Sequence, residues 1–311
     1  MKKLKLLALR FIQMIPVLIG ISIIAFVLTK VSPGDPVRII LGPRATAEAQ
    51  AALRLKYGLD EPLLTQYIFY IRNLLQGDWG SSMTFRTTVL DLIVKRYTPT
   101  LYLLIGGLIS SILPSLILGI ISSLKQDKFI DQLVRIFYTI GLGLPSYWLG
   151  LTLILIFAVK LGILPATGFG NTVGGHVRHI ILPSMTIGIA MTPILVRNLR
   201  ATLLEKKEAD FVIASRSRGI PENYIFRQHV LPNSLLPSIN LLGIVVVYIL
   251  AISIVIEPIF AIPGLGQLFI NSIIGRDYLV TQGLTLVFTV IAMIATLSVD
   301  LITLFIDPRI E

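Results

Sequence analysis

The chain has 311 residues, of which 54% are hydrophobic and only 14% are charged, and its formal net charge is +10. Soluble domains carry roughly 25% charged residues, so this composition excludes an ordinary soluble protein and indicates a chain solvated by lipid. The chain has no cysteine, which excludes disulfides, thiolate metal sites and cysteine nucleophiles.

Long uncharged apolar runs predict the membrane spans, because a spanning helix needs about 20 apolar residues. The first run follows the basic stretch MKKLKLLALR. It is longer than a typical signal-peptide core and no small-residue cleavage pattern follows it, so we interpret it as a retained span. We predict an all-α integral membrane protein with six transmembrane helices: Phe11–Thr29, Thr98–Leu124, Ile136–Val159 (with Pro145 inside it), Ile180–Val196, Leu235–Ile256 and Tyr278–Val299.

The long connection between the first two spans predicts a small helical cap. Its segment 46–80 has apolar residues at helical spacing, with Asp60 as a plausible start and Gly58 and Gly77 as plausible stops. The predicted domains are an N-terminal tail with the first span (1–31), an extracytoplasmic helical cap (32–97) and a core transmembrane domain (98–311) that contains a cytoplasmic loop at 200–234.

The distribution of Lys and Arg predicts the orientation. These residues concentrate at the N-terminus and in the second-to-third and fourth-to-fifth connections, whereas the two short opposite connections hold only Lys160, Arg178 and Arg276. Cytoplasmic loops carry an excess of Lys and Arg, so both termini are expected in the cytoplasm. A nucleic-acid-binding protein would instead carry its basic residues on a soluble face.

The stretch DFVIASRSRGIPENYIFRQHVLPN, residues 210–233, is the most polar part of the second half of the chain. Asp210 is a reasonable N-cap for a helix through about Arg218, and Gly219 supplies the left-handed residue that ends such a helix. Pro221 bars the helical region for the residue before it. The stretch therefore predicts a short helix, a sharp stop, a second short helix and a return to the membrane near Pro232.

One face of the first short helix could dock another protein. Phe211, Ala214 and Ser215 share this face at spacings i, i+3 and i+4, and the small residues permit close approach by another backbone. Arg216 and Arg218 point elsewhere. Physical reasoning alone leaves open a second interpretation, a basic helix that lies on anionic lipid.

The uncharged run 258–275 predicts a broken segment and not a seventh span. It contains Pro263, Gly264 and Gly266, and backbone groups freed in lipid must be shielded by protein or water. We expect a re-entrant or outer-surface segment. Glu257, at the outer end of the fifth span, and these three residues are candidates for an outer gate or interface. The alternative for Glu257 is an interfacial charge that water reaches.

No pattern in the chain predicts catalysis. The phosphate-binding pattern GxxxxGK[ST] does not occur, so the chain is not expected to bind ATP by itself. His176 and His179, at spacing i, i+3, could share a metal ion, although a solvated pair is the favoured interpretation. We expect no catalytic residue, no metal and no cofactor in this chain.

Residues 213–232 resemble the cytoplasmic EAA loop of ABC importer permeases. That pattern is Glu-Ala-Ala, three residues, Gly, nine residues, and Ile-x-Leu-Pro. Here IAS at 213–215 precedes Gly219 and HVLP stands at 229–232, with the same spacing. Three positions depart from the pattern: Ile213, Ser215 and His229.

The departures are similar to the peptide and nickel branch of that family, as are SRSRG at 215–219 and Asn233 after the Leu-Pro pair. Further segments resemble this branch in the same order: SPGDP (32–36), YGLDEPLLTQY (57–67), GDWGSS (77–82), LPSYWLG (144–150), ILPATGFG (163–170), IEPIFAIPGLGQL (256–268), RDYLVTQG (276–283) and DPRI (307–310).

The resemblance implies the first of two permease subunits of an ATP-driven importer with the type I transmembrane fold, in the bacterial inner membrane. The implied substrate is a dipeptide or oligopeptide, with nickel or a metal chelate as the alternative. The implied partners are a second homologous permease, two ABC ATPases, an extracytoplasmic binding protein and lipid, but no nucleic acid. The residues expected to couple to the ATPases are Phe211, Ala214, Ser215, Arg216, Arg218, Gly219, Ile220, Pro221, His229, Leu231 and Pro232.

Two other classes of protein remain as alternatives. A stand-alone secondary transporter predicts inverted repeats and coupling charges in mid-span, and neither is evident in the sequence. A membrane-anchored scaffold predicts one or two spans and no broken segment.

Overall fold

The computed structural model describes residues 2–31, 37, 46–57, 60–82 and 84–306, so the segments SPGDP and DPRI lie outside the described residues. Within these ranges the regular structure is helical, apart from one isolated bridge between Ser81 and Thr88. Wider, π-helical turns form at Ile154–Lys160 and Phe226–Val230. The helices are α1 (Lys2–Val31), α2 (Ala47–Tyr57), α3 (Leu63–Leu75), α4 (Val89–Leu124), α5 (Phe129–Gly143), α6 (Ser146–Leu153), α7 (Val173–Lys207), α8 (Asp210–Ser217), α9 (Glu222–Ile225), α10 (Leu231–Ile259), α11 (Leu265–Ile274) and α12 (Tyr278–Ile306).

Five helical stretches in the described part of the chain are long and apolar enough to cross a membrane, and a bent pair of helices makes a sixth. They match the six predicted spans in order, so the predicted all-α membrane architecture is confirmed. The five unbroken stretches are Leu9–Leu28, Val89–Leu124, Val173–Lys207, Glu222–Ile259 and Tyr278–Ile306.

The third predicted span is broken, which corrects the prediction of one helix over Ile136–Val159. α5 and the helical stretch Ser146–Lys160 meet at an angle of 106°. Pro145 disfavours the helical conformation at Leu144, which is extended at φ −82°, ψ 124°. Pro145 therefore lies between two helices and not inside one.

Two central helices extend well past their apolar runs. α4 has 36 residues and α7 has 35, and at 1.5 Å per residue each is about 50 Å long, against a hydrocarbon core of about 30 Å. The extra turns are stabilised by caps at the N-termini. Thr88 accepts a hydrogen bond from the Asp91 amide at 3.2 Å, and Thr172 accepts one from the Gly175 amide at 3.1 Å.

α4 and α7 pack closely, and glycine makes this possible. A Cβ at Gly188 would lie 2.6 Å from the Ser110 carbonyl oxygen, and a Cβ at Gly107 would lie 2.9 Å from Ile187. Small residues at such crossings let two backbones approach in a membrane. The main apolar core forms around this pair, with side chains from α6 and α10.

The predicted helical cap forms as α2 and α3, and it packs on α1. The Ser22 and Tyr67 hydroxyl groups lie 2.7 Å apart, and Phe26 packs edge-on against Tyr67 with ring centroids 5.6 Å apart. Asp60 does not start α3, since the helix begins at Leu63 after Pro62, whose fixed φ suits that position.

The predicted stop at Gly77 is confirmed. Gly77 has a φ of +84°, and its amide donates to the Leu74 carbonyl at 3.1 Å just past the end of α3. The other predicted stop, Gly58, lies outside the described residues. The chain then turns towards α12, where the Ser82 hydroxyl donates to the buried Asp277 carboxylate.

Candidate functional site

The 210–233 loop connects α7 to α10 and begins with α8. α8 starts at Asp210 itself, with Ala209 as an N-cap that makes no side-chain hydrogen bond, and it ends at Ser217. The predicted N-cap at Asp210 is thus wrong by one position. Its carboxylate still lies in the first turn, where the helix dipole favours a negative charge.

Gly219 ends α8 in the left-handed conformation that the sequence predicted. Its φ is +76°, and its amide donates to the Arg216 carbonyl at 2.9 Å. Pro221 is the N-cap of α9 in an extended conformation. The short helix, sharp stop and second short helix are therefore confirmed, while Pro232 lies in the first turn of α10.

The loop is anchored by apolar side chains on its underside. Val212, Ile225 and Val230 are buried together against Leu199 and Leu203, which lie in the last turns of α7. Ile220, Phe226 and Leu231 pack at the edge of this cluster. The loop is thus fixed to the end of α7 as one folded unit.

The opposite face of α8 is apolar and exposed. Phe211 is 37% exposed, Ile213 is more exposed still, and Ala214 lies open beside them. Ser215 is half-buried and its hydroxyl donates to the Phe211 carbonyl at 2.7 Å. The predicted face is therefore formed by Phe211 and Ala214. Ile213, one of the three departures from the family pattern, was not predicted to be part of the exposed surface, and at spacing i+2 from Phe211 it lies on a different side of the helix.

An exposed ion pair links α8 to α9 across the turn. Arg216 and Glu222 form a two-pronged contact in which the Arg216 Nη2 lies 3.2 Å from the Glu222 Oε2. This hydrogen bond raises the pKa of the Arg216 guanidinium. Such a surface pair adds little stability, but it restricts the angle between the two helices. Glu222 was not predicted, and Arg218 is exposed next to the turn.

His229 lies inside the loop, in the π-helical turn before α10. Its ring packs edge-on against Tyr224 with centroids 6.1 Å apart, and its carbonyl accepts a hydrogen bond from Asn233 Nδ2 at 2.7 Å. Tyr224 itself is exposed. His229 and Asn233, which resemble the peptide and nickel branch of the family, therefore make contacts within the loop itself.

The other candidate residues lie at the far end of α10, where the backbone breaks at 260–264. Glu257 is 0% exposed. Its Oε1 accepts from the Thr100 hydroxyl at 2.7 Å and its Oε2 accepts from the Gln267 amide at 2.9 Å. The alternative of an interfacial charge open to water is wrong, because the carboxylate bonds to groups of the protein.

Glycine allows the segment after the break to reach this carboxylate. A Cβ at Gly264 would collide with Glu257 and lie 2.6 Å from the Thr100 hydroxyl oxygen, and a Cβ at Gly266 would lie 2.8 Å from the Ile254 Cα. Pro263 is exposed. The predicted helix break is thus observed, and its two glycines are required by close contact. A role for these residues in an outer gate stays a prediction.

The two histidines before the fourth span face carbonyl oxygens. His176 Nδ1 lies 2.8 Å from the Phe169 carbonyl, and His179 Nδ1 lies 2.8 Å from the Gly175 carbonyl. The His176 ring stacks on Phe169 at 4.1 Å. Among the residues that the structure describes, no group of three or more His, Cys, Asp or Glu side chains could hold a metal ion.

Comparison with known families gives two matches that cover most of the chain. Residues 115–311 match the family described as binding-protein-dependent transport system inner membrane component. Residues 3–104 match the N-terminal part of the corresponding membrane component. The 210–233 loop and the 260–264 break both lie in the first of these matches.

Similar proteins and structures agree with this match. The chain is 35% identical over 302 residues to the glutathione transport system permease protein GsiC of Escherichia coli (strain K12), covering 97% of each chain. It is 34% identical to GsiC of Salmonella typhimurium strain LT2, again over 97% of each. The inward-facing MetNI methionine ABC transporter matches with a TM-score of 0.57 at 20% identity, over 70% of this chain and 97% of that one. At this identity the likeness shows the fold alone, that of type I ABC importer permeases.

Proposed function

The chain belongs to the family of binding-protein-dependent transport system inner membrane components, as a multi-pass permease subunit of an ABC importer, and from this premise we propose that its substrate is a peptide. The proposal is supported by relatives named for transport of glutathione, which is a tripeptide. The apolar middles of the predicted spans carry no charge. A pathway lined by such side chains selects weakly, which suits an importer whose selectivity lies in a separate binding protein.

The proposed partners follow from the family. A second, homologous permease completes the pathway, two ATPases supply energy, and an extracytoplasmic binding protein delivers the peptide. This chain contains no phosphate-binding pattern of its own. ATP-driven closure of the ATPases then moves the spans between inward-facing and outward-facing states by alternating access.

The proposed point of contact with an ATPase is the exposed face of α8. The observation that carries this proposal is the pairing of two faces on one short helix: Val212 is fully buried against the end of α7, while Phe211 and Ile213 are exposed beside it. A short apolar face on a rigid base fits a groove on a protein partner. We place this loop and both termini on the cytoplasmic side, where ATP is available.

Substrate uptake tests the proposed function. Cells that lack their own peptide importers would express the chain with its partner permease, two ATPases and a binding protein. Uptake would be measured for three substrates: glutathione, a second tripeptide without a thiol, and ⁶³Ni²⁺. We expect uptake of the peptides. This uptake should be lost when any one of the four partner subunits is left out. Uptake of nickel without peptide would contradict the proposed substrate and support the metal alternative. Uptake that persists without the ATPases would contradict the permease function.

A further inference from the structure

A buried carboxylate joins three helices just beyond the 210–233 loop. Asp131, in the first turn of α5, is fully buried. Arg200 of α7 reaches it with both prongs of its guanidinium, Nε to Oδ1 at 2.7 Å and Nη2 to Oδ2 at 2.7 Å. Neither residue belongs to the 210–233 loop, and no sequence pattern marks either of them.

Further hydrogen bonds connect this pair to the end of α4. The Ser122 hydroxyl donates to Asp131 Oδ1 and accepts from Arg200 Nε at 3.0 Å. The Asp127 amide, in the connection between α4 and α5, donates to Asp131 Oδ2 at 3.0 Å. Two turns further along α7, Lys207 Nζ donates to the Ser123 carbonyl. The ends of α4 and α7 and the start of α5 are thus joined by directional bonds.

Such a pair does little for stability but much for geometry. Removing two charges from water costs about as much as their attraction returns, so a buried ion pair is weak support for a fold. A two-pronged contact between Arg and a carboxylate nevertheless fixes both distance and orientation. The arrangement therefore specifies how α4, α5 and α7 lie relative to one another.

These hydrogen bonds around Asp131 and Arg200, here called the joint, lie between the 210–233 loop and the spans. α7 ends at Lys207 and α8 begins at Asp210. Leu199 and Leu203, the neighbours of Arg200 on α7, form the apolar cluster that holds Val212 of α8. A force on α8 thus reaches the end of α7 through packed side chains, and at Arg200 it meets the bonds to the other two helices.

We propose that Asp131 and Arg200 are positioning residues that transmit movement of the 210–233 loop to α4 and α5. The proposal rests on the proposed function, because the movement is the one that a bound ATPase imposes. When α8 is displaced, α7 carries the α4–α5 connection with it as one body. Without the joint, α7 slides past that connection and the displacement is lost before it reaches the spans.

The test measures coupling and not activity alone. The complete importer would be reconstituted in proteoliposomes, and ATP hydrolysed per peptide transported would be compared between the natural protein and Arg200→Lys, whose ammonium cannot make the two-pronged contact. The ATPase rate is expected to stay near that of the natural protein, while transport falls about tenfold, as loss of roughly 1.4 kcal/mol of coupling energy implies. ATP consumed per peptide therefore rises by the same factor.

Two more variants separate coupling from folding. The double substitution Asp131→Asn with Arg200→Gln removes both charges of the buried pair, leaves neither of these two residues as an unpaired buried ion and retains hydrogen-bonding groups. Its ATP consumption per peptide should rise as in Arg200→Lys. Arg135→Ala is the control: Arg135 is one turn from Asp131 on the same helix, but its Nε lies 4.0 Å away and its side chain is half in solvent. The amount of ATP hydrolysed per peptide transported by the Arg135→Ala importer should not change.

The outcomes are distinguishable. If the assembled Arg200→Lys and double-variant importers transport the natural amount of peptide per ATP, the joint does not transmit movement, whatever happens to their thermal stability. If the natural protein itself shows no transport linked to ATP hydrolysis, the proposed function fails first. A raised ratio in both variants, with Arg135→Ala unchanged, supports the inference.

Discussion

Gly219 controls the angle between α8 and α9 because it is the residue at which the chain reverses. Its φ of +76° lies in the left-handed region, and a Cβ there would meet nothing within 4 Å. The need for glycine is therefore conformational and not steric. This turn and the Arg216–Glu222 pair set the orientation of α8 relative to α9. A change at Gly219 should therefore alter the surface that a partner protein contacts.

Substitution of Gly219 should weaken ATPase binding. Gly219→Ala forces a side chain into the left-handed region at a cost of about 1–2 kcal/mol, and Gly219→Pro cannot adopt that conformation at all. We expect less ATPase to co-purify with the alanine variant and almost none with the proline variant. The matched control is Gly162→Ala, because Gly162 also has a positive φ, +64°, and open space around it. Equal losses of ATPase from the two alanine variants would contradict a specific role for the loop.

The buried carboxylate of Glu257 shows what residue patterns can and cannot indicate. The Pro and Gly content of 258–275 predicted the break after α10 correctly. Burial of Glu257 depends on Thr100, 157 positions earlier in the chain, and a single sequence does not show which helices become neighbours. Asp131 and Arg200 escaped notice for the same reason, since 69 positions separate them.

At the scale of elements, α8 combines an anchoring face with an exposed face in eight residues. The adjacent residues Phe211 and Val212 belong to different faces: Phe211 is 37% exposed and Val212 is 0% exposed. A helix of this length is not stable alone. Its structure depends on the cluster beneath it, so the two faces can be tested separately.

Substitution of the two neighbours should therefore give different defects. Phe211→Ala should lower ATPase binding and transport without lowering the melting temperature of the importer. Val212→Ala removes two buried methyl groups at about 0.8 kcal/mol each, plus a cavity cost, so the free energy of unfolding of the loop should fall by about 2 kcal/mol. Thermal unfolding and co-purification of the ATPase would measure both. A stability loss in Phe211→Ala as large as in Val212→Ala would show that α8 does not present a free face.

The spans themselves were largely predictable, and the exceptions have physical reasons. Apolar runs located all six, because lipid demands a long uncharged stretch in each. The 106° bend within Ile136–Val159 was not predicted, because composition records hydrophobicity and not direction. The one local sign was Pro145, which disfavours the helical conformation at Leu144. The apolar runs missed the long ends of α4 and α7 because charged residues interrupt these ends, such as Asp91 and Lys95 in α4 and Arg200 and Lys207 in α7.

At the scale of the whole molecule, the two candidate regions lie at opposite ends of α10, a helix of 29 residues. An element of that length spans the hydrocarbon core. The 210–233 loop and the 260–264 break therefore belong to opposite sides of the membrane in the account given above. A further ion pair, between Arg10 Nε and Asp300 Oδ2 at 3.2 Å, connects α1 to α12 beside a cavity of about 570 Å³.

The orientation can be measured directly because the natural chain has no cysteine. Gln126→Cys lies in the exposed connection between α4 and α5, and Val173→Cys lies at the exposed start of α7. With the loop in the cytoplasm, a membrane-impermeant maleimide should label Val173→Cys in intact cells and Gln126→Cys only after permeabilisation. The reverse labelling pattern would show the opposite orientation in the membrane. α8 would then lie on the side away from ATP, which would contradict the proposed contact with an ATPase.

The most direct test of the account is accumulation of peptide in sealed vesicles. Vesicles would hold this chain with its partner permease and two ATPases, with binding protein outside and ATP within. We predict accumulation against a gradient only when ATP is hydrolysed, and none when a non-hydrolysable analogue replaces it. Accumulation by vesicles that contain this chain alone, without nucleotide hydrolysis, would contradict the claim that an ATPase moves this permease through its 210–233 loop.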